Sequence, residues 1–165
     1  MEILADTNTE QDLCKRCGFC CDDTLFPHAS VKKDEVLPPG FEEVVEKKKR
    51  YFVLPCAHFN GICTIYHQKR PTICSSFQCL VLERVIKGEN SYAEADQLIA
   101  QLKSQKARIN QLLAAYPGAT IADRYSEFQR RHAAHINTAE FKLQHKDLLM
   151  EWVLYKTRLK QFIAD

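Results

Sequence analysis

The sequence predicts a mainly α fold, with a small, irregular, cysteine-rich metal-binding lobe over residues 1–90 and a three-helix extension over 91–165. Three observations carry that expectation. All eight cysteines fall at or before Cys79. The stretch that holds them is broken by Pro27, Pro38, Pro39, Gly40, Pro55, Gly61 and Pro71, which favours loops and short elements over long regular ones. From Ser91 onward, apolar residues recur at three- and four-residue intervals, the period of a helix face.

Taken in order, residues 1–13 read as a short lead-in with one helical turn around Gln11-Asp12-Leu13. Phe41–Arg50 predicts a helix, because its carboxylates come first and its cations last, which complements the helix dipole. Tyr51–Leu54 predicts a short strand. A second helix is expected from near Pro71 through Leu80, Val81, Val85 and Ile86 to Gly88. In the extension, Ala95, Leu98, Ile99, Leu102, Ile109, Leu112 and Leu113 make one stripe, stopped by Tyr116-Pro117-Gly118. Residues 120–136 carry Ile121, Tyr125, Phe128 and Ala133. Asn137-Thr-Ala-Glu140 reads as a capping box before a last stripe of Phe141, Leu148, Leu149, Trp152, Tyr155, Leu159, Phe162 and Ile163. Short breaks between the helices suit a bundle of antiparallel neighbours. The alternative is that these helices present a surface for a protein partner or for self-association.

Composition narrows the function. A hydrophobic content of 45% supports a packed core. The first residues are acidic and polar rather than basic and then apolar, and no apolar run reaches the roughly 18 residues of a membrane span. These features predict a cytoplasmic, reducing setting with no membrane association, where clustered cysteines serve metals more often than disulfides. Lys and Arg outnumber Asp and Glu only slightly, 23 to 21, and thiolates bound to zinc would turn the small positive charge negative. Nucleic acid is therefore not the expected partner.

The thiols carry the chemistry. Cys14-Lys-Arg-Cys17-Gly18 puts two sulfurs within reach of one ion across a tight turn, with glycine relaxing the backbone behind them. Cys20 extends this to C-x2-C-x2-C, a spacing used by iron–sulfur proteins. Cys21 is adjacent to Cys20, and neighbouring side chains diverge, so either the two serve different ions or one of them is a spare. Cys56, Cys63, Cys74 and Cys79 follow, with Gly61 and Pro71 supplying turns. Eight thiols make two sets of four, the closed number for structural zinc. Four of them also suffice for one 4Fe–4S cluster, so zinc and iron–sulfur both remain open. His58 and His67 lie in the same lobe and are alternative ligands in a three-cysteine, one-histidine site.

Cys14-x-x-Cys17-Gly-x-Cys20-Cys21, Pro55-Cys56, Cys63-x-Ile65-Tyr66 and Arg70-Pro71-x-x-Cys74-x-x-Phe77-x-Cys79 together resemble the YkgJ-type cysteine-cluster family, over residues 14–79. The resemblance implies a zinc- or iron-chelating domain. Some relatives are similar to, or fused with, lysine methylases of flagellin, which implies an accessory role in protein modification as one alternative and iron–sulfur electron transfer as another. Ser75 departs from the pattern, standing where relatives look to have arginine.

Other residues have simpler readings. His132, His135 and His145 lack the glutamate of a hydrolytic zinc motif and read as solvated helix histidines. Lys47-Lys-Lys-Arg50 reads as a solvated helix end, and Arg70 as a cation able to offset thiolate charge. Asp22-Asp23 and Glu42-Glu43 are neighbours in sequence, a poor geometry for acid–base catalysis. The chain contains no nucleophile elbow, phosphate loop or dinucleotide fingerprint.

Overall fold

A computed structural model describes residues 10–163; the first nine residues of the expected lead-in lie outside it. The described chain is mainly α, 47% helical with one small three-stranded antiparallel sheet. It divides into two compact units, Met1–Asp96 and Gln97–Asp165.

In the first unit, helix α1 (Glu10–Cys17) begins with carboxylates and ends with Lys15 and Arg16, and it buries Leu13. Strand β1 (His28–Val31) pairs with β3 (Lys49–Val53), which also pairs with β2 (Glu43–Glu46), giving the order β1-β3-β2. Val31, Phe52 and Leu54 form the apolar centre under the sheet, with Phe41, Cys56 and Ile73 packed against it.

The helix expected over Phe41–Arg50 is instead the β2–β3 hairpin. Its register sets Glu46 opposite Lys49, with Lys47 and Lys48 as the two-residue turn at φ 48° and 67°. Such a turn needs left-handed backbone, usually supplied by Asn or Gly, so two lysines gave no turn signal. The β-branched Val44 and Val45 favour strand. Arg50 fixes the result. It bridges to Glu43 and donates to the carbonyls of Lys32, Lys33 and Glu35 at 2.8, 2.7 and 2.9 Å.

The single helix expected from Pro71 to Gly88 is two. Helix α2 (Thr72–Ser76) stops at Phe77, whose backbone is extended, and α3 (Leu80–Ile86) restarts with Cys79 as its N-cap. Glycine at Gly88, φ 72°, ends α3: its N–H bonds the Val85 carbonyl and the next N–H, of Glu89, bonds that of Arg84. Helix α3 packs on α1, burying Val81, Leu82 and Val85.

Helix α4 (Tyr92–Leu112) opens with a Ser91–Glu94 capping box. Its buried line is Ala95, Ile99, Leu102, Gln105 and Ile109, continued by Leu113; Leu112, expected in the stripe, is exposed. In the second unit, α5 (Ile121–Arg131) starts from a Thr120–Asp123 capping box. The last stripe is not one helix but α6 (Ala139–Gln144) and α7 (Lys146–Leu159), so the described extension has four helices rather than three. Thr138, not Asn137, caps α6. The break falls at His145, whose ring packs among Phe128, Phe141 and His132. His132 and His145 are thus half-buried members of an aromatic cluster, with His132 also hydrogen-bonded to the Tyr116 hydroxyl at 2.9 Å.

Trp152 stacks on Tyr125, ring centres 3.8 Å apart and planes 8° from parallel, while Tyr155 and Leu159 are buried. Gln105 links α4 to α7 by accepting from Arg158 and donating to Glu151. On α6 and α7 the large apolar side chains left exposed are Leu143, Met150, Val153 and Leu154. No described helix is long and apolar enough to cross a membrane.

Candidate metal centre

All eight cysteines lie in the first unit as free thiols, and short elements bring distant ones together. Cys14 and Cys17 are not held by a tight turn, as expected, but sit three residues apart on the last turn of α1, on one helix face. Gly18 ends that helix at φ 74°, and a Cβ there would run into the Phe59 ring. The Gly18 carbonyl then accepts from Cys21 and Asp22, at 2.8 and 3.0 Å, which coils the chain tightly while Phe19 is fully buried. Cys20 and Cys21 follow this anchor.

Cys56 is tied to that coil by its N–H, which donates to the Cys21 carbonyl at 2.7 Å. Beyond it, Phe59 donates to the Cys56 carbonyl and Thr64 to that of His58, and a bridge pairs Phe59 with Cys63. The loop thus returns Cys63 towards Cys56. Cys74 rides on α2, whose first residue is gripped by Glu35: one carboxylate oxygen accepts from the Thr72 N–H at 2.6 Å and its hydroxyl at 2.9 Å. These bonds hold the Glu35 carboxyl below the usual range, the Thr72 N–H contributing most. The Cys79 sulfur accepts from Leu82 N–H at 3.5 Å.

The expected alternative ligands have other contacts. His58 Nε2 bonds the Pro39 carbonyl at 2.8 Å and its ring lies against Phe41, and the His67 ring lies against Tyr66. Arg70, in contrast, sits 4.1 Å over the Tyr66 ring, with Lys15 4.8 Å from the same ring. Two cations and an aromatic ring therefore lie beside the thiols. Sequence reading missed the part played by Tyr66; its place in the quoted Ile65-Tyr66 pair is the only trace.

Burial is the first influence on these thiols and raises all those that respond. It pushes Cys14 and Cys74 up to about 11 and Cys21 up to about 12, with Cys20, Cys56 and Cys79 also raised. Neighbouring thiolates add to this in two groups. Cys20 is pushed up by Cys79, Cys17, Cys21 and Cys14, and Cys14 by Cys79. Cys21 is pushed up by Cys56, Cys63 and Cys74, Cys74 by Cys56 and Cys63, and Cys56 by Cys63. Arg70 opposes the rise at both Cys14 and Cys74, and backbone N–H groups oppose it at Cys79 and Cys56.

Soft sulfur donors, main-chain N–H groups on sulfur and an adjacent guanidinium are a donor set that fits zinc or an iron–sulfur cluster. Among the described residues, no three His, Cys, Asp or Glu side chains converge closely enough to hold an ion as they stand. Comparison with family models, curated proteins and solved structures finds no match.

Proposed function

We propose that the chain binds metal, as zinc ions or an iron–sulfur cluster, through the clustered cysteines of its first unit, and acts as a non-catalytic or accessory protein. The observation that supports this reading is that eight free thiols fall on the short elements of the first unit: a helix, a coil, a loop and two short helices. Burial and neighbouring sulfurs disfavour bare thiolates here, and a metal cation offsets this by displacing the thiol protons and neutralising the charge. Holding an ion would require the sulfurs to draw closer than they stand among the described residues. The resemblance to the YkgJ-type family agrees with this role, and the metal would also stabilise a unit built largely of loops.

Metal and acid-labile sulfide analysis of anaerobically purified protein tests the proposal. Bound zinc without sulfide, or iron with matching sulfide and visible absorbance, supports it and identifies the cofactor. Protein that carries neither and takes up neither on reconstitution overturns it.

A further inference from the structure

We propose that the thiols form two separate four-thiolate centres, Cys14, Cys17, Cys20 and Cys79 in one and Cys21, Cys56, Cys63 and Cys74 in the other. This rests on the metal-binding function above and adds the number of centres and the membership of each.

The backbone makes the division. Cys14 and Cys17 share a face of α1, and α1 packs on α3, whose N-cap is Cys79. Cys20 follows the buried Phe19, directly after the end of α1. For the second set, the 2.7 Å bond from Cys56 N–H to the Cys21 carbonyl joins two members. The Phe59–Cys63 bridge brings in the third, and Ile73, packed with Cys56 on one apolar cluster, brings in its neighbour Cys74. Every cysteine is used once. Each set has four members, the number that closes a tetrahedral ion.

Arg70, stacked 4.1 Å over the Tyr66 ring, adds a cation: four thiolates around a divalent ion carry a net negative charge, which a nearby guanidinium favours.

The test uses the full-length reduced apo protein and zinc alone, with native mass spectrometry for stoichiometry and alkylation with peptide mapping for protection. The wild type should bind two zinc ions and protect all eight cysteines. The Cys14→Ser/Cys79→Ser variant should bind one, leaving Cys17 and Cys20 reactive and Cys21, Cys56, Cys63 and Cys74 protected. The Cys63→Ser/Cys74→Ser variant should show the reverse. A wild type that binds a single zinc overturns the division whether or not the variants fold, as does a variant whose protected cysteines mix the two sets; both leave metal binding itself intact. A wild type that binds no zinc overturns the division, and the proposed function falls with it when anaerobic reconstitution with iron and sulfide also leaves the protein empty.

Discussion

Cys56 donates its backbone N–H to the carbonyl of Cys21 at 2.7 Å, so the end of the first thiol run is locked to the start of the second. Beside its chain neighbour Cys21, Cys20 is influenced by Cys79, Cys17 and Cys14. Adjacent residues thus serve different neighbourhoods.

From this it follows that Cys20→Ser and Cys21→Ser should each weaken a different ion. In zinc titrations of the two variants, one site should weaken by at least about tenfold while the other stays at wild-type affinity, with the affected site exchanged between them. Weakening of the same site by both substitutions would contradict the assignment.

Gly18 and Gly61 offer a matched pair. Both have left-handed backbone, φ 74° and 73°, but a Cβ at Gly18 meets the Phe59 ring whereas one at Gly61 meets nothing within 4 Å. Both alanine variants should lose about 1 kcal/mol for the backbone, and Gly18→Ala clearly more, because the Phe59 ring must move and with it the Cys56–Cys63 loop. Thermal melts of the metal-loaded variants check the order. Equal losses would mean that Phe59 gives way freely.

The capping box read at Asn137–Glu140 is one residue off, but the helical character of the extension was legible because amphipathic period is a local signal. The hairpin was not. Its turn uses lysines where the sequence code expects Asn or Gly, and it is pinned by Arg50 reaching the Lys32–Glu35 segment, a tertiary fact. The helix break at His145 was hidden for the same reason, since His145 packs on Phe128 and His132 of an earlier segment. For the candidate site, the cysteines and Arg70 stood out by residue type. Which thiol neighbours which depends on α1 packing on α3 and on the Cys21–Cys56 bond, and neither leaves a sequence trace.

Arg70 should matter to metal affinity without touching the metal. Replacing it by glutamine removes the charge that favours the Cys14 and Cys74 thiolates, so zinc should be lost to a competing chelator more readily, by about tenfold. Arg70→Lys should recover part of that loss, because it keeps the charge but not the planar stack on Tyr66. Unchanged affinity in Arg70→Gln would show that the guanidinium does not act on the thiolates.

The raised thiols fix the direction of the pH dependence. Cys14 and Cys74 at about 11 and Cys21 at about 12 are protonated at neutral pH without metal, so binding displaces protons. Zinc affinity should rise with pH, by about one decade per unit for each proton released, and acid should release the metal. The apo protein should behave oppositely. Its folded thiols lie above their ordinary value of 9.0, so their contribution is complete below that pH and is lost as pH rises towards 11 to 12. Melting temperatures from pH 8 to about 11 should therefore fall for the apo form and hold for the loaded one. Parallel curves would contradict this.

The most direct measurement of the central claim counts reactive thiols in the native, anaerobically purified protein before and after a strong chelator, while circular dichroism follows the helices. Metal binding through the cysteines predicts that few thiols react at first and that all eight react after chelation. The first unit should melt at a lower temperature after chelation, while α5, α6 and α7 keep their helicity unchanged. Eight thiols reacting at the same rate with and without chelator would contradict the account.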